Sequence, residues 1–206
     1  MEKQMIDINI KSNLEIEKAI EFAQYFHQKE TRKYSNSNSV LLPYIFHPMQ
    51  VANKVWAWGG TLDMVCAAIL HDVWENVDKK IREKVIEETR LYFNGNVCNF
   101  VEELTLFEDN ESKEECLNKF MTVKSVQSLI VKAVDRICNI NDFAMHDGEY
   151  AVQYYIKGIV LFDAVEARKD EIIQVLSEET YKKATRAIDV VNHMVNYPVR
   201  ESEYLG

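Results

Sequence analysis

His71 and Asp72 stand side by side at the end of an apolar run, Ala67-Ala68-Ile69-Leu70, and Glu75 follows one turn later. An imidazole and two carboxylates are groups that serve acid–base chemistry and cation ligation. An apolar core would not choose them: an unpaired buried carboxylate is costly, and a bound cation removes that penalty. On a helix, His71 and Glu75 share a face, and Asp72 and Glu75 share a neighbouring one. The spacing therefore predicts three ionisable groups converging at the end of a buried helix.

Two further positions break an apolar pattern in the same way. Asp135 lies four residues after Val131 in LIVKAVDRICNIND, on the inward side of that pattern, with Asn139 one turn further on. His47 precedes Pro48, a residue suited to a first helical turn, which places His47 at or near an N-cap. Taken singly, each has a bland role: a capping histidine, or an aspartate paired with Lys132 or Arg136. Taken together, His47, His71-Asp72 and Asp135 form a mixed nitrogen and oxygen set suited to Mn²⁺, Fe²⁺ or Zn²⁺.

The elements that must position these groups read as helices. The chain has 206 residues but only 6 Gly and 3 Pro, few turn-makers for a many-stranded β protein. Helical spacing runs through residues 14–30, with Asn13 as N-cap, and through 48–58, ended by Gly59-Gly60. Thr61 caps a helix that is apolar nearly all round and so is central. Residues 79–91 read as an amphipathic surface helix and 96–105 as a short one. One or two helices fall within 119–141, and two long ones, 149–169 and 178–196, close the chain. Ser35 to Ser39 read as an exposed loop, a rim to the site. The expected architecture is one all-α domain, a helical bundle over residues 1–206 with its core at about 14–196.

Composition narrows the function classes. A formal net charge of −9 disfavours nucleic-acid binding, although a metal and a few local cations still suffice for a small anionic ligand. Cys66, Cys98, Cys116 and Cys138 form no C-x-x-C pair and read as reduced core thiols in the cytoplasm. No secretion signal and no membrane span are expected, and no particular oligomeric state is legible.

The order His47, His71-Asp72, Asp135 resembles the HD superfamily of metal-dependent phosphohydrolases. TRK at 31–33, PYIFHPMQVA at 43–52, AAILHDVWEN at 67–76, VEELT at 101–105 and KAVDRICNINDF at 132–143 resemble its (p)ppGpp hydrolase branch, the RelA/SpoT-type hydrolase domains and small stand-alone alarmone hydrolases. The resemblance covers about residues 14 to 196 and implies the stand-alone form. It implies an all-α bundle with one Mn²⁺ held by His47, His71, Asp72 and Asp135. It further implies a nucleotide substrate contacted by Arg32, Lys33, Asn139 and Tyr155, with Tyr154 the neighbouring candidate. Lys29 reads as a solvated helix end and His27 as a packing residue.

One departure stands out. The branch's pattern is H-D-x-x-E-D, and here it is H-D-V-W-E-N. Glu75 and Asn76 therefore occupy the positions that handle the attacking water, and Asn76 hydrogen-bonds a water without taking its proton. On this pattern alone, Asn76→Asp is expected to raise hydrolysis. Three readings follow: a stringent-response alarmone 3′-pyrophosphohydrolase, a hydrolase of another nucleotide such as a (d)NTP, a monophosphate or an adenine alarmone, and a decayed nucleotide-binding domain.

Overall fold

The computed structural model describes residues 13–32, 42–107 and 112–196. Helix α1 spans Leu14–His27, and Asn13 caps it by accepting from Glu15 N–H at 2.9 Å. Helix α2 is Phe46–Ala57, so His47 lies inside its first turn and Pro48 follows within that turn. Ile45 is the N-cap, and His47 lies two residues beyond it, near the cap as expected. Gly59, at φ 85°, closes α2 in the left-handed region that favours glycine.

Helix α3, Leu62–Leu70, is capped by Thr61 and is buried from Met64 to Leu70. It packs between α1, α2 and later helices and forms the centre of the molecule. The chain then turns. His71 ends α3, Asp72 precedes a separate short helix α4, Val73–Asn76, and α5 runs Lys79–Tyr92. The single helix face expected for His71, Asp72 and Glu75 is therefore broken between α3 and α4. Trp74 anchors this turn: it is 1% exposed, and its indole N–H donates to Thr89 Oγ1 at 2.9 Å. Thr89→Val leaves that donor unpaired and is expected to cost about 1–3 kcal/mol, read as a lower urea midpoint at unchanged slope.

Helix α6, Gly95–Leu104, and the short α7, Lys113–Asn118, lead to α8, Val126–Ala144. Helix α8 is the second buried axis and carries Asp135, Arg136 and Asn139. The expected long helix over 149–169 is two helices, α9, Gly148–Ile156, and α10, Ile159–Ala167. Gly158 sits at their junction because a Cβ there would meet Arg136 Nε at 3.0 Å. Helices α11, Lys169–Val175, and α12, Glu178–Asn196, complete the bundle.

Among the described residues there is no strand, only an isolated antiparallel bridge between Thr31 and Pro43. All four cysteines are buried and free, as expected. No described helix is long and apolar enough to cross a membrane.

Candidate active site

Four side chains from three segments remote in sequence meet where the start of α2, the turn after α3 and the middle of α8 converge. His47 Nε2 lies 3.0 Å from Asp135 Oδ1 and 4.0 Å from Asp72 Oδ2. His71 Nε2 lies 3.1 Å from Asp72 Oδ2 and 3.6 Å from Asp135 Oδ1. His47, His71 and Asp72 each offer a ligand atom, and those atoms lie within 4.8 Å of one another. These separations suit donors around one small ion with metal–ligand distances of about 2.0–2.2 Å.

The donor chemistry fits a cation as well. His71 Nδ1–H donates to the Ala68 carbonyl at 2.8 Å, which turns Nε2 toward the cluster. That Nε2 is buried and makes no well-aligned hydrogen bond, although carboxylate oxygens of Asp72 and Asp135 lie 3.1 and 3.6 Å away. An orphaned lone pair among carboxylates is what a divalent cation needs.

Protons compete for the same atom. Burial opposes charging His71, but Asp72 and then Asp135 outweigh it and push its imidazole up to about 10. The raised value means that the imidazolium stabilises the metal-free fold below the unfolded value, and that this contribution is lost as pH rises through about 10. Adding Mn²⁺ in weak buffer at pH 8 is therefore expected to release about one proton per ion. Affinity should rise about tenfold per pH unit from 7 to 9. Potentiometry checks both, and a pH-independent affinity would contradict them.

Lys132 and Asn139 surround Asp135, both named from the sequence, and Tyr44 joins them without a sequence signal of its own. Tyr44 donates its hydroxyl to Asp72 Oδ2 at 2.6 Å. Lys132 Nζ pairs with Asp135 Oδ2 at 3.0 Å, and Asn139 Nδ2 donates to Asp135 Oδ1 at 2.7 Å. Burial raises the cost of charging Asp135, yet Lys132 and both histidines hold its carboxyl well below the usual range. The Lys132–Asp135 pair expected from their spacing is thus present alongside the cluster, and Tyr44 lies three residues ahead of His47.

Arg32 joins this network: its Nη2 donates to Asn139 Oδ1 at 3.1 Å and to Asp142 Oδ2. Two backbone bonds beside the Thr31–Pro43 bridge, Arg32 N–H to Leu42 O and Tyr44 N–H to Glu30 O, hold it in place. Lys33 and the Ser35–Ser39 rim lie outside the described residues.

Glu75 points differently from the helical expectation. Its Oε2 accepts from Leu106 N–H at 3.2 Å, while its charge still helps hold Lys132 protonated. Asn76 is exposed, and its amide donates to Glu30 Oε2 at 3.0 Å and toward the Tyr44 hydroxyl. Glu30 in turn accepts from His27 Nδ1 at 3.2 Å, and buried His27 packs its ring 4.9 Å from Tyr44, the packing role expected of it. Neither Glu30 nor its link to Asn76 was anticipated.

Tyr155 does not join the cluster. Its ring packs 5.5 Å from Phe162, and its charged neighbours are Asp163 and Asp189. Tyr154 is the tyrosine beside the site: burial pushes its phenol up to about 12, with Arg136, Asp135, Lys132 and Asp72 as its neighbours. Helical rotation separates adjacent residues by about 100°, so only one of the pair can face α8.

The chain matches the HD domain family over residues 19–173. It belongs to the HD-domain family. The guanosine-3′,5′-bis(diphosphate) 3′-pyrophosphohydrolase of Aquifex aeolicus is 30% identical to this HD domain over 131 residues, 61% of the chain and 17% of the relative. A probable enzyme of the same name from Synechocystis is 29% identical over 127 residues, 58% of the chain and 15% of the relative. The chain thus spans less than a fifth of the length of these curated relatives. A solved structure, described as a metazoan orthologue of SpoT that hydrolyses ppGpp and plays a role in starvation responses, superposes with a TM-score of 0.65. It is 19% identical, and the match covers 86% of this chain and 96% of that one. At that identity the likeness is one of fold, and it agrees with the all-α architecture.

Proposed function

We propose that this HD domain is a Mn²⁺-dependent, cytoplasmic phosphohydrolase that removes the 3′-pyrophosphate of ppGpp, yielding GDP and pyrophosphate. The observation that carries the reading is the His47, His71, Asp72 and Asp135 cluster joined through Asn139 to Arg32. The names of the relatives support the substrate.

His47, His71, Asp72 and Asp135 would hold the ion, and when bound it supplies Lewis-acid charge that brings the pKa of a water toward about 7 to 9. Glu75 is held by Leu106 N–H through one carboxylate oxygen, and its other oxygen serves to orient the water and accept its proton. The water oxygen attacks the phosphorus attached to the ribose O3′. The P–O3′ bond breaks, pyrophosphate departs with the new oxygen, and O3′ takes a proton. Arg32, with Lys33, meets the phosphates as a charge-assisted donor. Arg32→Ala is expected to raise KM about tenfold or more while kcat moves less than about threefold; steady-state kinetics check this, and an unchanged KM removes Arg32 from the site.

The decisive assay is purified protein with Mn²⁺ and ppGpp, scored for GDP and pyrophosphate, with dATP, dGTP and GMP in parallel. A second reading, hydrolysis of another nucleotide, is favoured by Asn76 and by the Asp142 carboxylate already paired with Arg32. Turnover of the parallel set alone would establish it over the first.

A further inference from the structure

Arg136 is one residue beyond Asp135 on α8 and is 1% exposed. Its Nε has no partner, and its Nη1 reaches only the Tyr154 carbonyl, at 3.5 Å. The guanidinium carbon lies 4.0 Å over the Tyr154 ring, and no carboxylate among the described residues pairs with it. Stacking on a phenol does not offset the burial of a full charge, which costs several kcal/mol when uncompensated. Gly158 brings the α9–α10 junction against the Arg136 stem and fixes it there.

The guanidinium borders a cavity of about 550 Å³ between α7, α8, α9 and α10. Among the described residues, Lys113, Lys157, Gln153, Tyr150 and Tyr154 line it with Arg136, and Glu114 is the carboxylate on its wall. Lys113 Nζ lies 5.9 Å from the Tyr154 ring centre. Partial desolvation, then repulsion from Arg136 and Lys132, hold Lys113 below the ordinary lysine range. Among the described residues, three cations against one carboxylate, with aromatic faces and an amide, give this wall the character of an anion pocket. Its volume falls in the range of small-ligand sites, about 300–1,000 Å³.

We propose that this cavity is a second anion subsite, in which Arg136 and Lys113 take a phosphate or pyrophosphate group. Two sources share that chemistry: a second phosphorylated arm of the substrate, which rests on the reading above, and free pyrophosphate, which does not. Tyr154 lines the cavity and has Asp135 and Asp72 among its charged neighbours, so an anion here changes the charge near Asp135.

The test is calorimetric titration of inorganic pyrophosphate into metal-stripped protein, where the cluster cannot hold the anion through an ion. Wild type is expected to saturate at one site. The exposed Lys113→Glu variant is expected to bind at least tenfold more weakly at an unchanged melting temperature, and Arg136→Lys to bind weakly with a retained fold. Absence of saturable binding in the wild type, or equal binding in Lys113→Glu, overturns the proposal. Kinetics on metal-loaded protein then separate the sources. A KM increase in Lys113→Glu for ppGpp, but not for guanosine 3′-diphosphate, assigns the site to a substrate arm. Unchanged KM values with weakened pyrophosphate inhibition assign it to free pyrophosphate. If neither nucleotide is turned over, the proposed function fails while the titration still stands.

Discussion

Asp72→Ala is expected to abolish divalent-ion binding at the cluster and to lower kcat/KM by more than about 100-fold, since even losing a group that only orients a metal ligand costs about 10- to 100-fold. Asp72 Oδ2 lies 3.1 Å from His71 Nε2 and 4.0 Å from His47 Nε2, so its removal opens one side of the donor set. The carboxylate also receives the Tyr44 hydroxyl, so alanine leaves that donor unpaired as well. Asp72→Asn separates the two effects: it keeps an acceptor for Tyr44 but gives up the negative charge. Metal content by plasma emission, together with turnover and circular dichroism, distinguishes ligand loss from misfolding. A folded Asp72→Ala protein with full metal and full activity would remove the cluster from the mechanism.

Asn76→Asp has the opposite sign from the one the motif suggests. The side chain at position 76 stands 3.0 Å from the Glu30 carboxylate, and its amide is the donor between them. Replacing that amide by a carboxylate sets two like charges at hydrogen-bond distance, costing about 1 kcal/mol even at the dielectric of water. It also withdraws the donor that occupies the Tyr44 oxygen and leaves the Tyr44 proton aimed at Asp72. The single substitution is therefore expected to lower kcat by about three- to tenfold. Adding Glu30→Gln removes the repulsion and should return kcat to the wild-type value or above. A gain of activity in the single variant would show that Glu30 does not constrain this position.

The contrast between these two substitutions shows what the sequence carries and what it withholds. Local signals act within a few residues and were legible: the Asn13 and Thr61 caps, the apolar α3, and the start of α12 at 178. That His47, His71, Asp72 and Asp135 belong together was legible because buried polar residues violate an apolar pattern, and a violation can be read one segment at a time. The turn at His71 and Asp72 was not, because Trp74 holds it through Thr89 on another helix. The split of α9 from α10 depends on the Arg136 stem, and the choice of Tyr154 over Tyr155 on rotation toward α8. Glu30 reads as an ordinary helix-end acid until the Thr31–Pro43 bridge brings that end of α1 to Asn76. Pairings of this kind exist only between segments and leave no periodicity behind.

The ligands are supplied by α2, the α3–α4 turn and α8, three segments that only the native fold brings together. An ion held by all three is a removable cross-link, because the unfolded chain offers it no comparable site. At a free concentration of about 100 times Kd it would add about 2.7 kcal/mol to the folded state. The supply of a divalent ion would then set how much of this protein survives proteolysis, as well as how fast it works.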